Sequence, residues 1–247
     1  MESNLIRRFV SSCIDGNPGG MNNYIRQGGD VDIIINGCTP LIIASDKGYL
    51  SVVETLLEAK ADVNCVSKEN GTTALLQASQ NGHLSVVKKL LESEASVNFI
   101  NEKNGYTALT QASRNGHVLV VEKLLEAKAY VNAQRHDGVS SLMLASQEGH
   151  LSVVKKLLEA KADVKCVSKK GGATALMQAF QEGHVSVVKK ILEEKLEVNK
   201  QRYDGVTDLM SASLFGNLPQ NSSSSPTGVC TDDRTDSNSS GLKCRSR

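Results

Sequence analysis

The sequence TALLQASQNGHLSVVKKLLESEASVN, residues 73–98, contains two short apolar patterns of helical period on either side of a glycine. In the first pattern, Leu75, Leu76 and Ala78 fall on one face of a helix, and Gly82 stands where a left-handed residue would end it. The second pattern has its own apolar face, made by Val86, Val87, Leu90 and Leu91. The stretch therefore predicts a helix, a turn at the glycine and a second helix.

The same pattern recurs along the chain at a fixed spacing. Its Thr-x-Leu start, with Ser in one unit, returns after 34, 34, 33, 34 and 33 residues, at Thr39, Thr73, Thr107, Ser140, Thr174 and Thr207. The turn glycine keeps the same phase from Gly48 to Gly216. A fixed period of this kind is typical of a solenoid, in which each helix pair buries its apolar face against its neighbours.

A polar stretch separates successive helix pairs and ends in a turn signal. The signals are Asn70-Gly71, Asn104-Gly105, Asp137-Gly138, Gly171-Gly172 and Asp204-Gly205. Asn-Gly and Asp-Gly are strong signals for tight hairpins. Each linker therefore predicts a projecting β-hairpin finger.

Residues 73–98 and the stretch TALTQASRNGHVLVVEKLLEAKAYVN, residues 107–132, resemble ankyrin repeats. The resemblance runs in register from about Thr39 to Asn217. It implies an all-α ankyrin-repeat solenoid, in which helix-turn-helix pairs are joined by β-hairpin fingers.

The chain is expected to divide into three parts. Residues 1–37 carry a weaker copy of the pattern, which predicts a divergent N-terminal capping repeat. Five complete ankyrin repeats and a truncated sixth are predicted over residues 38–217. Residues 218–247 are Ser-rich with few apolar side chains, so we expect a disordered tail, which is either native or the product of truncation or splicing.

Two positions depart from the pattern of the family. The His that usually follows Thr-Pro-Leu is replaced by Ile42, Leu76, Thr110, Met143, Met177 and Met210, so a hydrogen-bonding ladder typical of the family is missing. The Gly usual at the end of the second helix is kept as Gly28 in the cap but becomes Lys60, Glu94, Lys128, Lys161 and Lys195. A left-handed non-glycine residue there costs about 1 kcal/mol.

Composition argues against several classes of function. The 28 Lys and Arg residues nearly balance the 27 Asp and Glu residues, so the chain as a whole has no electrostatic field that would attract nucleic acid. No stretch of about 20 apolar residues predicts a membrane span, and no secretory signal is recognised. The six cysteines are scattered, so reduced thiols in the cytoplasm are expected, with the nucleus as the alternative compartment.

Candidate chemistry is equally sparse, and we predict no enzyme, cofactor or metal site. A row formed by His83, His117, His150 and His184 has one member per repeat, about 8 to 10 Å apart, whereas zinc needs its ligands within about 2.1 Å. No phosphate-binding loop of the form G-x-x-x-x-G-K-[ST] is present. The histidines are therefore interpreted as structural residues at the turn.

In ankyrin arrays the fingers and the exposed ends of the first helices line one concave face, and the resemblance implies the same surface here. Its candidate binding residues are Asp46, Lys47, Thr72, Gln80, Asn81, Tyr106, Arg114, Asn115, His136, Val139, Gln147, Glu148, Ala173, Gln181, Glu182 and Tyr203. Large amphipathic side chains dominate interface hot spots, so Tyr106, Arg114, His136 and Tyr203 are the preferred anchors.

The sequence favours a monomeric scaffold or adaptor that binds a protein partner on this face. One alternative is a regulatory or inhibitory subunit of an enzyme or transcription factor. Another is a truncated fragment of a larger multidomain protein. Family resemblance predicts a way of binding and leaves the target open.

Overall fold

The computed structural model describes residues 2–194, and each predicted unit from Thr39 onwards is a pair of short helices within that range. The helices are α1 (Glu2–Asp15), α2 (Asn22–Arg26), α3 (Pro40–Lys47), α4 (Leu50–Glu58), α5 (Ala74–Gln80), α6 (Leu84–Glu92), α7 (Ala108–Arg114), α8 (Val118–Glu126), α9 (Ser141–Gln147), α10 (Leu151–Glu159), α11 (Ala175–Gln181) and α12 (Val185–Glu193). The predicted all-α solenoid class is confirmed.

The recurring Thr or Ser begins the first helix of each pair because its hydroxyl caps the helix. In α5, the Thr73 hydroxyl accepts a hydrogen bond from the backbone N–H of Leu76 at 3.3 Å. Thr39, Thr107, Ser140 and Thr174 cap their helices in the same way. Such a cap contributes about 1 kcal/mol to helix stability.

The two helices of each pair form separate layers. First helices stack in the order α3, α5, α7, α9 and α11, and second helices stack in the order α4, α6, α8, α10 and α12. The core between them consists mainly of aliphatic side chains, such as Leu75, Val87 and Leu90, which are 0 to 2% exposed. Since one pair cannot cover its own apolar face, stability comes from this stacking.

The second helices end in left-handed residues, as the sequence predicted. Lys60, Glu94, Lys128 and Lys161 have φ values of 66°, 64°, 67° and 65°. At the end of α4, the N–H of Ala61 donates to the carbonyl of Leu56, and the N–H of Lys60 donates to that of Leu57. This bonding is a Schellman motif. Lys195 lies outside the described residues.

The linkers reverse direction as predicted, but they are shorter than true β-hairpins. The finger from Ser67 to Thr72 is closed by two backbone bonds, in which the N–H of Ser67 donates to the carbonyl of Thr72 at 2.8 Å and the N–H of Gly71 donates to that of Ser67 at 2.9 Å. Isolated bridges join Ile35 to Cys38 and Gln134 to Ser140. Residues 2–194 contain no strand, because each finger closes after too few residues for a ladder to form.

A ladder of Asp and Asn side chains ties neighbouring repeats together where each second helix has ended. The acceptors are Asp32, Asn64, Asn98 and Asn132, which bond the backbone N–H groups of Asp62, Ser96, Tyr130 and Asp163 at 3.0, 2.8, 2.8 and 2.8 Å. These bonds are exposed to solvent, and an intramolecular hydrogen bond contributes at most about 1 kcal/mol in such a place. The next residue at this position is Lys165, whose ammonium group cannot accept a hydrogen bond.

The N-terminal segment packs on the same core. Phe9 and Cys13 of α1 are fully buried, and the rings of Phe9 and Tyr24 lie 4.5 Å apart. Helix α1 contacts α3, and α2 is reduced to five residues. The capping role of residues 1–37 stays a prediction. The truncated sixth repeat and the tail, residues 218–247, lie outside the described residues.

Candidate functional site

The structure places most of the candidate binding residues at the ends of the first helices and in the fingers. Lys47, Asn81, Arg114, Asn115, His136, Gln147, Glu148 and Glu182 are exposed, whereas Asp46, Gln80, Val139 and Gln181 are half-buried. Tyr203 lies outside the described residues. The exposed members are therefore available to a partner from α3 through α11.

Three candidates are corrected by the structure, because Thr72, Tyr106 and Ala173 are only 4, 8 and 7% exposed. They share one position, immediately before the residue that caps the first helix. At that position the finger returns to the helix layer, so the side chain packs inward. The Tyr106 ring, for example, packs with Leu76 and Leu144 in a small apolar cluster.

Tyr106 is also the centre of a polar cluster. Arg114 Nη1 and Arg135 Nη1 donate to the Tyr106 hydroxyl oxygen at 2.9 and 2.8 Å. The Arg135 guanidinium carbon lies 4.3 Å from the centroid of the Tyr106 ring, a cation–π arrangement. Tyr106 therefore supports two arginines instead of meeting a partner itself.

Several other candidates join one repeat to the next. Asn81 Nδ2 donates to both the backbone oxygen and the Oδ1 of Asp46 at 2.9 Å. One repeat later, Asn115 Nδ2 donates to the backbone oxygen of Gln80 at 2.9 Å, and Gln111 Nε2 donates to Gln80 Oε1 at 3.0 Å. These bonds fix the first-helix ends relative to one another.

The row of histidines forms a second ladder between repeats. The Nε2 atoms of His83, His117, His150 and His184 lie 2.9 Å from the backbone oxygens of Asp46, Gln80, Arg114 and Gln147. A carbonyl only accepts, so Nε2 carries the proton in each bond. The histidines therefore have a structural role at the turn. Their bonds form a ladder between repeats, although the family's usual ladder after Thr-Pro-Leu was predicted to be missing.

Each of these rings also lies against the turn glycine of the preceding repeat. A Cβ added at Gly82 would lie 2.6 Å from His117 Nδ1, and one added at Gly48 would lie 2.5 Å from His83 Nδ1. Both glycines have φ near 75°. The turn position therefore needs glycine for two reasons, its left-handed backbone and the ring above it.

Two cysteines, Cys13 and Cys65, lie in surroundings that disfavour the reactive thiolate. Burial raises the pKa of the Cys13 thiol to about 12. Burial also raises the pKa of Cys65, and the carboxylates of Asp62 and Asp32 raise it further. A thiol with a raised pKa stays protonated near neutral pH and is a poor nucleophile. Within residues 2–194, no group of three His, Cys, Asp or Glu residues is arranged to hold a metal ion.

The sequence predictions missed two features of this surface. Arg135 occupies the finger position that is Ser67, Asn101 and Ser168 in other repeats, so its unusual size was the available signal. The aliphatic residues Ile34, Val66 and Ile100, again at equivalent positions, are 49, 42 and 47% exposed. Val66 also lines a cavity of about 350 Å³ between two neighbouring fingers, together with Ser67, Gly71, Phe99, Glu102 and Lys103.

A family model described as ankyrin repeats in three copies matches residues 41–135 and 142–219, which is more than half of the chain. The chain belongs to the ankyrin-repeat family. Ankyrin repeats are generally modules of protein–protein interaction and typically non-catalytic. A comparison with curated proteins found no matching relative. No helix in the part of this ankyrin chain that the structure describes is long and apolar enough to cross a bilayer.

Proposed function

We propose that the protein is a scaffold or adaptor that binds a protein partner on its concave face, defined by the first-helix ends and the fingers. The observation that supports this best is a contrast within that face. Its backbone is tied from repeat to repeat by the Asn and His bonds, whereas exposed side chains such as Arg114 and His136 differ from those at the equivalent positions of the other repeats. A rigid frame with varied exposed side chains suits selective binding, because little ordering entropy is lost on association.

The test is affinity capture from source cells with three forms of the full chain. The first is wild type, and the second carries Arg114→Ala, His136→Ala and Gln147→Ala. The matched control carries Lys88→Ala, Lys155→Ala and Lys189→Ala, three exposed changes on second helices. Equal melting temperatures would establish that all three forms fold alike.

The proposal predicts a partner that is retained by wild type and by the lysine control and lost with the concave-face variant. A hot-spot residue contributes at least about 2 kcal/mol, so losing one such residue weakens binding about thirtyfold. A partner retained by the concave-face variant and lost with the lysine control would contradict the proposed surface.

The captured partner also distinguishes the scaffold proposal from the alternative of a regulatory or inhibitory subunit. If the captured partner is an enzyme or transcription factor, its activity is measured with and without an excess of the array. Unchanged activity supports the scaffold, whereas activity that falls with occupancy supports the regulatory alternative. We also propose that the protein is a monomer, which light scattering tests. We propose a cytoplasmic location, which the unpaired thiols of Cys13, Cys38 and Cys65 support and which cell fractionation tests.

A further inference from the structure

The two arginines that meet at Tyr106 differ in how fully their donors are used. Arg114 uses Nη1 for Tyr106, and its Nε lies 3.9 Å from Glu148 Oε1, beyond hydrogen-bond distance. The side chains of Arg114 and Glu148 are 49 and 42% exposed. Arg114 therefore presents its Nε–Nη2 edge, the edge that binds carboxylates in a bidentate way, with only a loose ion pair across it.

Arg135 is the more enclosed of the two. Its Nη1 bonds Tyr106, its Nη2 lies 3.0 Å from Asp137 Oδ2, and its side chain is 24% exposed. Its Nε is buried without a hydrogen-bond partner among the described residues. The Arg135 guanidinium is thus a second positive group, which shares the Tyr106 hydroxyl with Arg114 and is already paired with Asp137.

A free arginine side chain loses about 2 kcal/mol of rotamer entropy when it is ordered. At this cluster the Tyr106 hydroxyl fixes both guanidinium groups before any ligand arrives. The pair with Glu148 is exposed, and exposed pairs contribute about 0 to 1 kcal/mol. An incoming anion can therefore displace Glu148 at little cost and meet an arginine that is already positioned.

We propose that Arg114, held by Tyr106 and supported by Arg135, is the docking point for a single carboxylate side chain, Asp or Glu, of the protein partner. The inference rests on the proposed function and names the chemistry of the partner at one point of the interface. In the ion pairs of the described residues, Arg114 faces Glu148 and Arg135 faces Asp137, so each arginine is matched by one carboxylate. A partner carboxylate that takes the place of Glu148 at Arg114 keeps this one-to-one match, whereas a doubly charged phosphate would bring an additional negative charge close to Asp137 and Glu148.

The direct test is a titration of the full chain with the amide of N-acetylglutamate, followed by NMR of the arginine Nε–Hε signals. The signal of Arg114 is expected to shift saturably, and that of the exposed Arg26 to stay unchanged. The amide of N-acetylglutamine has the same shape without the charge, so it controls for signal shifts that do not depend on the carboxylate. Arg114→Lys keeps the charge and loses the bidentate edge, so we expect affinity, read in this variant from the Nε–Hε signal of the neighbouring Arg135, to fall about tenfold.

Tyr106→Phe tests whether the hydroxyl positions the arginine, and it keeps the buried ring. Affinity for the glutamate amide is expected to fall several-fold while the melting temperature of the chain changes little. A shift that does not saturate, equal binding of the glutamine amide, unchanged affinity in Tyr106→Phe, or tighter binding of an N-acetylphosphoserine amide would each overturn the inference.

Partner capture with the Arg114→Lys chain separates this inference from the proposed function. A partner retained equally by wild type and Arg114→Lys would overturn the inference and leave the scaffold proposal standing. If the glutamate amide binds Arg114 but no partner requires the concave face, the scaffold proposal fails and only the anion site remains.

Discussion

Replacing the turn glycine Gly82 by alanine tests how one repeat is fitted to the next. Gly82 has φ of 76°, and an added Cβ would lie 2.6 Å from the Nδ1 of His117. Gly28 provides a matched control, because its φ is 75° but an added Cβ would meet nothing within 4 Å. The two substitutions share the backbone strain and differ in the contact with the histidine.

The expected magnitudes follow from those two contributions. A left-handed alanine costs about 1 to 2 kcal/mol, and this is the whole effect expected for Gly28→Ala. In Gly82→Ala the His117 ring must also retreat from the new methyl group, and its bond of 2.9 Å to the Gln80 carbonyl is lost. That loss adds about 1 to 2 kcal/mol.

Thermal unfolding followed by circular dichroism measures the difference. An additional loss of 1 to 2 kcal/mol corresponds to about 2 to 8 °C in melting temperature for a chain of this size. In a His117→Ala background the clash is absent, so the effect of Gly82→Ala should fall to that of Gly28→Ala. Equal losses for Gly82→Ala and Gly28→Ala in the wild-type background would refute the reasoning.

Three further substitutions test the packing account by thermal unfolding. Lys60→Gly relieves a left-handed lysine with φ of 66° and should raise stability by up to about 1 kcal/mol; a clear fall would mean that the lysine side chain stabilises the helix end. Ser79→Ala removes a fully buried hydroxyl that has no hydrogen-bond partner among residues 2–194, so it should raise the free energy of unfolding by about 1 kcal/mol, whereas the exposed control Ser85→Ala should be neutral. A loss of stability in Ser79→Ala would reveal an unseen hydrogen bond. Leu124→Ala truncates a fully buried side chain and should lower the free energy of unfolding by about 3 kcal/mol. Leu125→Ala truncates a half-buried side chain and should lower it clearly less. Equal losses for the two variants would contradict the packing.

The period of the sequence was enough to predict the helix pairs and their turns. Helical spacing identifies an apolar face, and a glycine at constant phase identifies where each first helix ends. The left-handed Lys60 followed from its alignment with Gly28. The structure explains why the left-handed position at the end of the second helix tolerates lysine, whereas the left-handed position at the turn between the two helices requires glycine. Space is open at Gly28, whereas the His117 ring fills it at Gly82.

The details of the binding surface could not be predicted in the same way. Tyr106 was expected as an exposed anchor, but whether a finger residue points outward depends on how the finger folds back, and that requires coordinates. The pairing of Arg114 with Arg135 joins residues from a helix end and the following finger, 21 positions apart, which no periodic pattern indicates. Likewise, the sequence does not distinguish Leu124 from Leu125, since both lie on the apolar face.

The most direct test of the central claim is hydrogen–deuterium exchange of the full chain with and without its captured partner. If the partner binds across the concave face, exchange should slow in peptides that cover the fingers at residues 99–107 and 133–141. The second helix α10 should exchange at an unchanged rate. Slowed exchange confined to α10 and its neighbours α8 and α12, with the fingers unchanged, would contradict the account.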